Sequence, residues 1–411
     1  MLAESMIVSP SSIPRLRRTG RSRRPRAWIV TLVLLAAILP SATAGGEPAG
    51  RADPPLGDKA ENAATSYIEA FKAIEGMLEE PGTPLKSSGP PRLDEKAKAL
   101  VVRLDPAIRL LHRGTRQSRC EWKLDLQRRG AAATIYHIAS TRPLARGAAL
   151  YAASRWETGD RRQAKEVAED MLAFARHVGA AGRDGLVSLT ASYDIEAMVI
   201  DLVCRWMTDA GSAALLEDLC RGPERPEGNL PKVALLLETE TILPWAKRLA
   251  AEQDLDSQDR QDQEKYIAPL IQRHGREELL KLIAASEEHY KLTGELLDLP
   301  PEEFAPRFGQ YLRKLDGAGN PFSQVGIVKC PGIPRGYWGE KRLRAQWKML
   351  QAASGIQKRG PQASRDILDP FGDRPFEYER SRDGFILRSA LAIDGDRVTL
   401  EFKSGQSSPT P

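Results

Sequence analysis

The chain has 411 residues, 41% of them hydrophobic and 28% charged, which is enough apolar material for a core of one large or two smaller domains. Residues 1–44 carry seven arginines and one glutamate, a charge of +6, so the net charge of +5 leaves about −1 for the rest. Without a basic folded part, the composition argues against nucleic acid as a partner.

Residues 1–44 have the three parts of a secretory signal peptide. The seven arginines precede the apolar run Ala27–Leu39, and Ala42-Thr43-Ala44 places small residues at a cleavage site. The run is shorter than the ~20 residues of a membrane span. We therefore expect export to the periplasm or the extracellular space. The alternative is an uncleaved signal anchor, in which residues 36–44 extend the span and attach the protein to the membrane.

The residues that follow the leader predict a mainly α-helical fold. Residues 45–57 are rich in glycine, proline and charge, which is typical of a disordered tether. From 58 to 316, apolar residues recur every three to four positions and indicate antiparallel helical hairpins. Beyond the first hairpins, the predicted helices cover 188–208, 211–221, 232–253, 260–273, 275–297 and 301–315.

The clearest predicted hairpin spans 141–178. Ala145, Ala148 and Ala152 give its first helix a small-residue face, and Gly159-Asp160 form the turn. Small residues at such a contact are typical of a tetratricopeptide hairpin, because they let two helices approach closely. No second copy follows at a 34-residue period, so we expect an irregular array that is tetratricopeptide-like only in part.

The C-terminal quarter has a different pattern. Residues 317–339 are rich in glycine and proline and predict a linker, and 340–358 predict a helix. Alternating apolar residues between Phe376 and Phe402 then predict two or three strands, with a tight turn at Asp383-Gly384. A sheet this small must pack against the 340–358 helix, on which Leu343, Trp347 and Leu350 recur on one face. We therefore expect a small α+β unit over 340–403, followed by a frayed tail over 404–411.

Four cysteines are present, at positions 120, 204, 220 and 330. An even number in an oxidising compartment permits disulfides, and Cys204 and Cys220 flank a predicted helical turn. A 204–220 disulfide is one interpretation, and buried thiols are the other. The spacings are too long for paired zinc ligands, and the chain carries no nucleotide-binding loop. We expect neither a metal nor a cofactor.

The densest cluster of chemically distinctive residues is Glu121, Trp122 and Asp125, followed by His137 and Arg142. In a functional interpretation, acid, base and cation converge in a polar pocket that Trp122 walls, as a binding or hydrolytic site. In a structural interpretation, Trp122 anchors the core while the charged groups pair locally or face solvent. The chain has no G-x-S-x-G or H-E-x-x-H motif, so we assign no catalytic residue.

Glu238 and Glu240 place two carboxylates on an apolar predicted helix. Residues two apart point about 200° apart around a helix, so the two side chains cannot share one site. We expect one of them to be buried and the other to be solvated.

The pattern Arg119-Cys-Glu-Trp-x-x-Asp125, with His137, Gly159-Asp160 and Ala175-Arg176-His177 after it, resembles a group of uncharacterised exported bacterial proteins. The resemblance covers roughly residues 62–389. It implies an α-helical body, a short C-terminal β-motif and export, and it supplies no mechanism.

The segment Asp369-Pro-Phe-Gly372, which leads into the Asp383-Gly384 turn, is similar to the C-terminus of the type II secretion major pseudopilin. That resemblance implies a turn followed by a hairpin behind a helix. The N-terminal methylated-helix signature is missing, and residues 391–397 replace the calcium loop. We therefore interpret the chain as something other than a pilin subunit. We also expect no calcium to be bound at residues 391–397.

Two functions follow from the sequence. The first is an exported, non-enzymatic helical interaction or scaffold protein, which binds another protein or an envelope component through a groove of its helical array. The alternative is a hydrolase-type enzyme with its site near Glu121, Asp125, His137 and Arg142. The alternative requires these side chains to converge within hydrogen-bonding reach.

Overall fold

The computed structural model describes residues 62–86, 93–130, 133, 136–179, 185–208, 210–223, 229–252, 254–317 and 332–403. All of them belong to one compact unit, Gly57–Pro411. The predicted leader, tether and tail lie outside the described residues, as do residues 318–331 of the predicted linker and Cys330. The described part is mainly α-helical and ends in a small antiparallel sheet, which confirms the predicted fold class.

The helices and strands follow one another in a simple order. The α-helices are α1 Ala63–Leu78, α2 Glu95–Thr115, α3 Leu126–Arg129, α4 Tyr136–Glu157, α5 Arg161–Gly179, α6 Gly185–Trp206, α7 Ala210–Leu215, α8 Glu217–Arg221, α9 Leu230–Ala251, α10 Ser257–Asp262, α11 Ala268–His274, α12 Arg276–Leu297, α13 Pro301–Gly317 and α14 Gly332–Arg359. The strands are β1 Glu377–Ser381, β2 Gly384–Ile393 and β3 Asp396–Lys403.

Side-chain caps fix the starts of the first two helices. The Asn62 side chain accepts the Ala64 N–H at the start of α1, and Asp94 accepts the Ala97 N–H at the start of α2. Such caps satisfy backbone donors that have no partner within the helix. The two helices pack against each other and against α4, with Tyr67, Ile74 and Leu104 among their fully buried side chains.

The predicted hairpin over 141–178 is present as α4 and α5. Ala145, Ala148 and Ala152 are completely buried on α4, and α4 packs against α5. Gly159 turns the chain with φ of +89°, a conformation that favours glycine, and Asp160 accepts the Gln163 N–H in the first turn of α5. The predicted small-residue face of the first helix is therefore buried.

Helix α6 links the two ends of the fold. It packs on α4 and α5 on the N-terminal side, and on α9 and α14 toward the C-terminus. The last of these contacts includes a buried hydrogen bond of 2.9 Å from Trp347 Nε1 on α14 to Glu196 of α6. Trp347 thus faces the helical body, whereas the sequence placed it on the face that packs against the sheet.

The predicted linker over 317–339 is wrong at its C-terminal end, because α14 begins at Gly332 rather than at residue 340. The glycines of this stretch serve close packing. A Cβ at Gly336 would lie 3.3 Å from Leu186, and one at Gly339 would lie 2.9 Å from Tyr193. Because these glycines carry no side chain, α14 can approach α6 closely.

The three strands form one antiparallel sheet in the order β1-β2-β3. Phe385 on β2 pairs with Phe402 on β3, and their rings stack with centroids 4.8 Å apart. Both strands contact α14, and β3 also contacts α6. The sheet therefore covers the end of the helical body with its apolar face, as its small size requires.

The tight positive-φ turn lies at Asp394-Gly395, with φ of +54° and +87°, and not at Asp383-Gly384. The β1–β2 turn consists of Arg382 and Asp383, while Gly384 is already a strand residue. A Cβ at Gly384 would lie 1.9 Å from the Phe402 carbonyl oxygen. Glycine is required there because a neighbouring strand passes close by, so the turn prediction chose the wrong Asp-Gly pair.

Candidate functional site

The loop between α2 and α3 carries three of the five predicted site residues, and Asn62 fixes its path. The Asn62 side chain accepts the Glu121 N–H at 2.9 Å and donates to the Glu121 carbonyl oxygen at 2.8 Å. The Arg119 carbonyl accepts the Ala63 N–H at 3.0 Å. These bonds align the loop beside the start of α1 and direct Trp122 into the core.

Trp122 and His137 are brought into direct contact. Their rings stack in parallel, with centroids 4.3 Å apart and planes 9° apart, and both side chains are buried. Tyr67 and Phe71 of α1 also stack on Trp122, with centroids 5.8 and 6.2 Å from it. Trp122 Nε1 donates to the His177 carbonyl oxygen at 3.2 Å, so the indole is anchored at both its face and its edge.

Burial makes His137 a neutral core residue at ordinary pH. Its exposed fraction is 0%, and burial lowers the pKa of the imidazole to about 4. A general base must reach the proton that it abstracts. A ring enclosed in this way reaches no substrate, so its place in the fold corresponds to the structural interpretation of the cluster.

The two carboxylates of the predicted site face solvent and have local partners. Glu121 binds Arg119 through two hydrogen bonds of 2.7 and 2.8 Å, and this partner lowers the pKa of the Glu121 carboxyl. Asp125 is exposed and caps α3 by accepting the Arg128 N–H at 3.2 Å. Neither carboxylate contacts His137 among these bonds.

Arg142 lies half-buried on α4. It is four residues from Arg146, whose pKa is lowered by burial and, secondarily, by the Arg142 charge. Arg146 donates from Nε to the Pro84 carbonyl oxygen at 2.5 Å. Of the five predicted residues, the structure therefore brings together Trp122 and His137, and it gives the charged members separate surroundings.

A polar pair that the sequence did not single out lies beside this aromatic cluster. Tyr67 Oη and His177 Nδ1 are 2.7 Å apart in the interior. Burial raises the Tyr67 pKa, with smaller contributions from Cys120 and Asp170, and burial lowers the His177 pKa. The Tyr67 ring fits because Gly114 has no side chain, since a Cβ there would lie 2.5 Å from it.

Asp170 joins helices α2 and α5 at the edge of the same region. It receives a 2.5 Å hydrogen bond from Thr115 Oγ1, and its other oxygen lies 2.8 Å from His112 Nδ1. Residues 170 and 177 are seven apart on α5 and therefore share one helix face. The sequence spacing therefore predicts that residues 170 and 177 lie close together on α5. It does not predict the contact with His112, which lies 58 positions away from Asp170.

Glu238 is half-buried and Glu240 is exposed, so the two carboxylates differ in the predicted direction. Glu240 is exposed, whereas Glu238 points between helices and accepts the Leu186 N–H at the start of α6, at 2.9 Å. Burial raises the Glu238 pKa to about 7, and the bond from Leu186 opposes that shift in part. An acid with such a pKa changes charge near neutral pH.

Cys204 and Cys220 are both buried thiols in this structure and are not joined by a disulfide. Burial raises the pKa of both groups, in the case of Cys220 to about 12. Thiols that stay protonated to such high pH are poor nucleophiles and poor metal ligands. Their arrangement corresponds to the buried-thiol interpretation.

No group of three or more metal-ligating side chains is assembled within the described ranges. A cavity of about 240 Å³ lies at the turn after α1, lined by Glu80, Gly82, Thr83 and Lys86, none of which belongs to the predicted site. Among the described helices, none is both long enough and apolar enough to cross a membrane. Comparison with protein families, with curated proteins and with solved structures found no match.

Proposed function

We propose that this chain is an exported, non-enzymatic protein that binds another protein or an envelope component through its helical surface. The proposal combines the predicted leader with the arrangement of the described helices. In the same proposal, the chain groups with the exported bacterial proteins that it resembles, and its place of action is the periplasm or the extracellular space.

The observation that carries the proposal is that two neighbouring helices each expose aliphatic side chains. Val233 and Leu236 of α9 are 44% and 46% exposed, and Leu292 of the adjacent α12 is 39% exposed. Val233 and Leu236 lie one turn apart and therefore point the same way. Burying these side chains against a partner would remove apolar area from water, which favours binding.

The surroundings of the predicted chemical groups disfavour the hydrolase alternative. Glu121 and Asp125 are engaged in a local ion pair and a helix cap, and His137 is enclosed by aromatic rings. Acid–base catalysis needs groups within hydrogen-bonding reach of one substrate. A binding role uses the α9–α12 surface and leaves these groups to stabilise the fold.

Site-specific photo-cross-linking tests the proposal. A photoreactive amino acid is placed at Leu236 of the full chain in the producing cell, and at Val102 as a matched control. Val102 is also an exposed aliphatic residue, 79% exposed, but it lies on α2. We expect a discrete adduct of one size from position 236 and none from position 102. No adduct at 236, or the same adducts at both positions, would contradict the proposal.

A further inference from the structure

Residues Lys123–Gly130, which we call the strap, lie across α9 and contain α3. None of the α3 residues is buried, and Leu124 is only partly buried against the core. An ordinary amphipathic helix is held by an apolar face. The strap has no fully buried apolar side chain, so its polar contacts contribute much of what holds it in place.

Two arginines of the strap form ion pairs with the segment that contains α10. Arg129 binds Asp262 through two nitrogens, at 3.1 and 3.3 Å, and Arg128 binds Asp256. The Asp262 side chain is only 6% exposed, whereas the Arg128–Asp256 pair is half-exposed. A buried carboxylate depends strongly on its partner, because an unpaired buried charge is costly.

A third arginine, on α9, joins the strap to the same segment. Arg248 donates to the Arg128 carbonyl oxygen at 2.7 Å and to both carboxylate oxygens of Asp259, at 2.5 and 3.2 Å. The bond with Asp259 raises the pKa of the Arg248 guanidinium. The strap, α9 and α10 therefore share one network of charged groups.

The ends of the strap have unusual backbone conformations. Lys123 has φ of +52°, in a region that a lysine rarely adopts, and Gly130 has φ of +43°. Gly130 rests on Trp245 of α9, since a Cβ there would lie 2.6 Å from the indole. Trp245 is 3% exposed, and its Nε1 has no hydrogen-bond partner among the described residues.

We propose that the strap is an electrostatically held cover over Trp245, which opens as a unit while the helical core stays folded. Segments with few apolar contacts and many exposed polar ones open locally at low free-energy cost. Opening removes Gly130 from the indole of Trp245 and relieves the positive φ of Lys123. The proposal is independent of the binding surface on α9 and α12.

The proposed opening of the strap is tested by measuring backbone amide hydrogen exchange of the full chain by mass spectrometry. The double variant Arg128→Gln/Arg129→Gln removes both ion pairs from the strap and changes no core residue. Arg359→Gln is the matched control, because it removes a half-exposed ion pair with Asp366 at the end of α14. Arg128→Gln alone is the milder variant, as both members of that pair are half-exposed.

We expect amides 124–130 of the double variant to exchange about tenfold faster or more, with α4 and α5 unchanged. Arg128→Gln alone should give a smaller increase in the same peptides, and Arg359→Gln none. Unchanged exchange in the strap of both variants would overturn the proposal. An increase of equal size throughout the chain would also overturn it, since the ion pairs would then support the whole fold.

Discussion

Replacing Glu238 by glutamine should make the protein more stable above neutral pH, and this gain should disappear as the pH falls to the ordinary carboxyl pKa of 4.5. Glu238 lies half-buried between α9 and the start of α6, and burial of its carboxyl raises the pKa to about 7 from an ordinary 4.5. Glutamine keeps an oxygen that can accept the Leu186 N–H, and it carries no charge at any pH. The substitution thus isolates the cost of burying the ionised carboxylate.

The sign of the effect follows from proton linkage. Between the two pKa values the folded protein binds more protons than the unfolded chain, so the free energy of unfolding decreases as the pH rises. The loss begins near the unfolded pKa of 4.5 and is complete above the folded pKa of about 7. A difference of about 2.5 pKa units corresponds to about 3 kcal/mol, which Glu238→Gln should recover at about pH 8.

Urea unfolding followed by circular dichroism, from about pH 5 to about pH 8, measures this difference. Glu240→Gln is the matched control, since Glu240 lies two residues away on the same helix and is exposed. We expect the Glu238→Gln and wild-type curves to diverge as the pH rises, and the Glu240→Gln curve to follow wild type. Parallel curves for wild type and Glu238→Gln, or a Glu238→Gln protein that is less stable at pH 8, would refute the reasoning.

Three further predictions concern the sheet and the aromatic cluster. Phe385→Ala should lower the free energy of unfolding by about 3–5 kcal/mol, because it removes a buried ring that stacks on Phe402; a loss below about 1 kcal/mol would contradict this packing. Gly384→Ala should lower the melting temperature far more than Gly395→Ala, since a Cβ at Gly384 meets a carbonyl oxygen and one at Gly395 meets nothing within 4 Å; equal effects would argue against the observed register. His137→Phe should make the protein less sensitive to acid. In wild type, His137 of the unfolded chain takes up a proton near pH 6.5, whereas the buried ring of the folded protein does so only near pH 4, so the free energy of unfolding decreases as the pH falls between these values. Unchanged acid unfolding of the variant would show that His137 is not buried as described.

Local spacing predicted the helical elements well, because helix periodicity and small-residue faces are recorded in neighbouring residues. Ala145, Ala148 and Ala152 are buried on one face of α4, and Glu238 and Glu240 differ in burial as the helix geometry requires. In each case the information lies within a few turns of one helix. No distant residue is needed to interpret it.

Features that depend on contacts between distant segments were not predicted. Gly336 and Gly339 indicated a linker, but they are packing positions against Leu186 and Tyr193, about 150 residues earlier. Likewise, Gly384 was assigned to a turn, although the residue that requires it, Phe402, lies on another strand. Composition alone does not distinguish a glycine that turns the chain from one that admits a neighbour.

The candidate site was also predictable only in its local features and not in its contacts between distant segments. The stacking of Trp122 on His137 and the anchoring of Trp122 in the core follow the structural interpretation that the sequence left open. The contact between His112 and Asp170 joins two helices and has no signature in either one. Residue types indicated where distinctive side chains cluster, and only the packing of α1, α2 and α5 specified their partners.

The most direct test of the proposed binding function combines the photo-cross-linker at Leu236 with a charge placed beside it. Val233→Glu introduces a carboxylate one helical turn away on the same exposed face, and Val102→Glu introduces one on α2 as the control. We predict that Val233→Glu abolishes the adduct from position 236 while circular dichroism stays unchanged, and that Val102→Glu leaves the adduct intact. An adduct that survives Val233→Glu in the folded protein would contradict binding through the surface of α9 and α12.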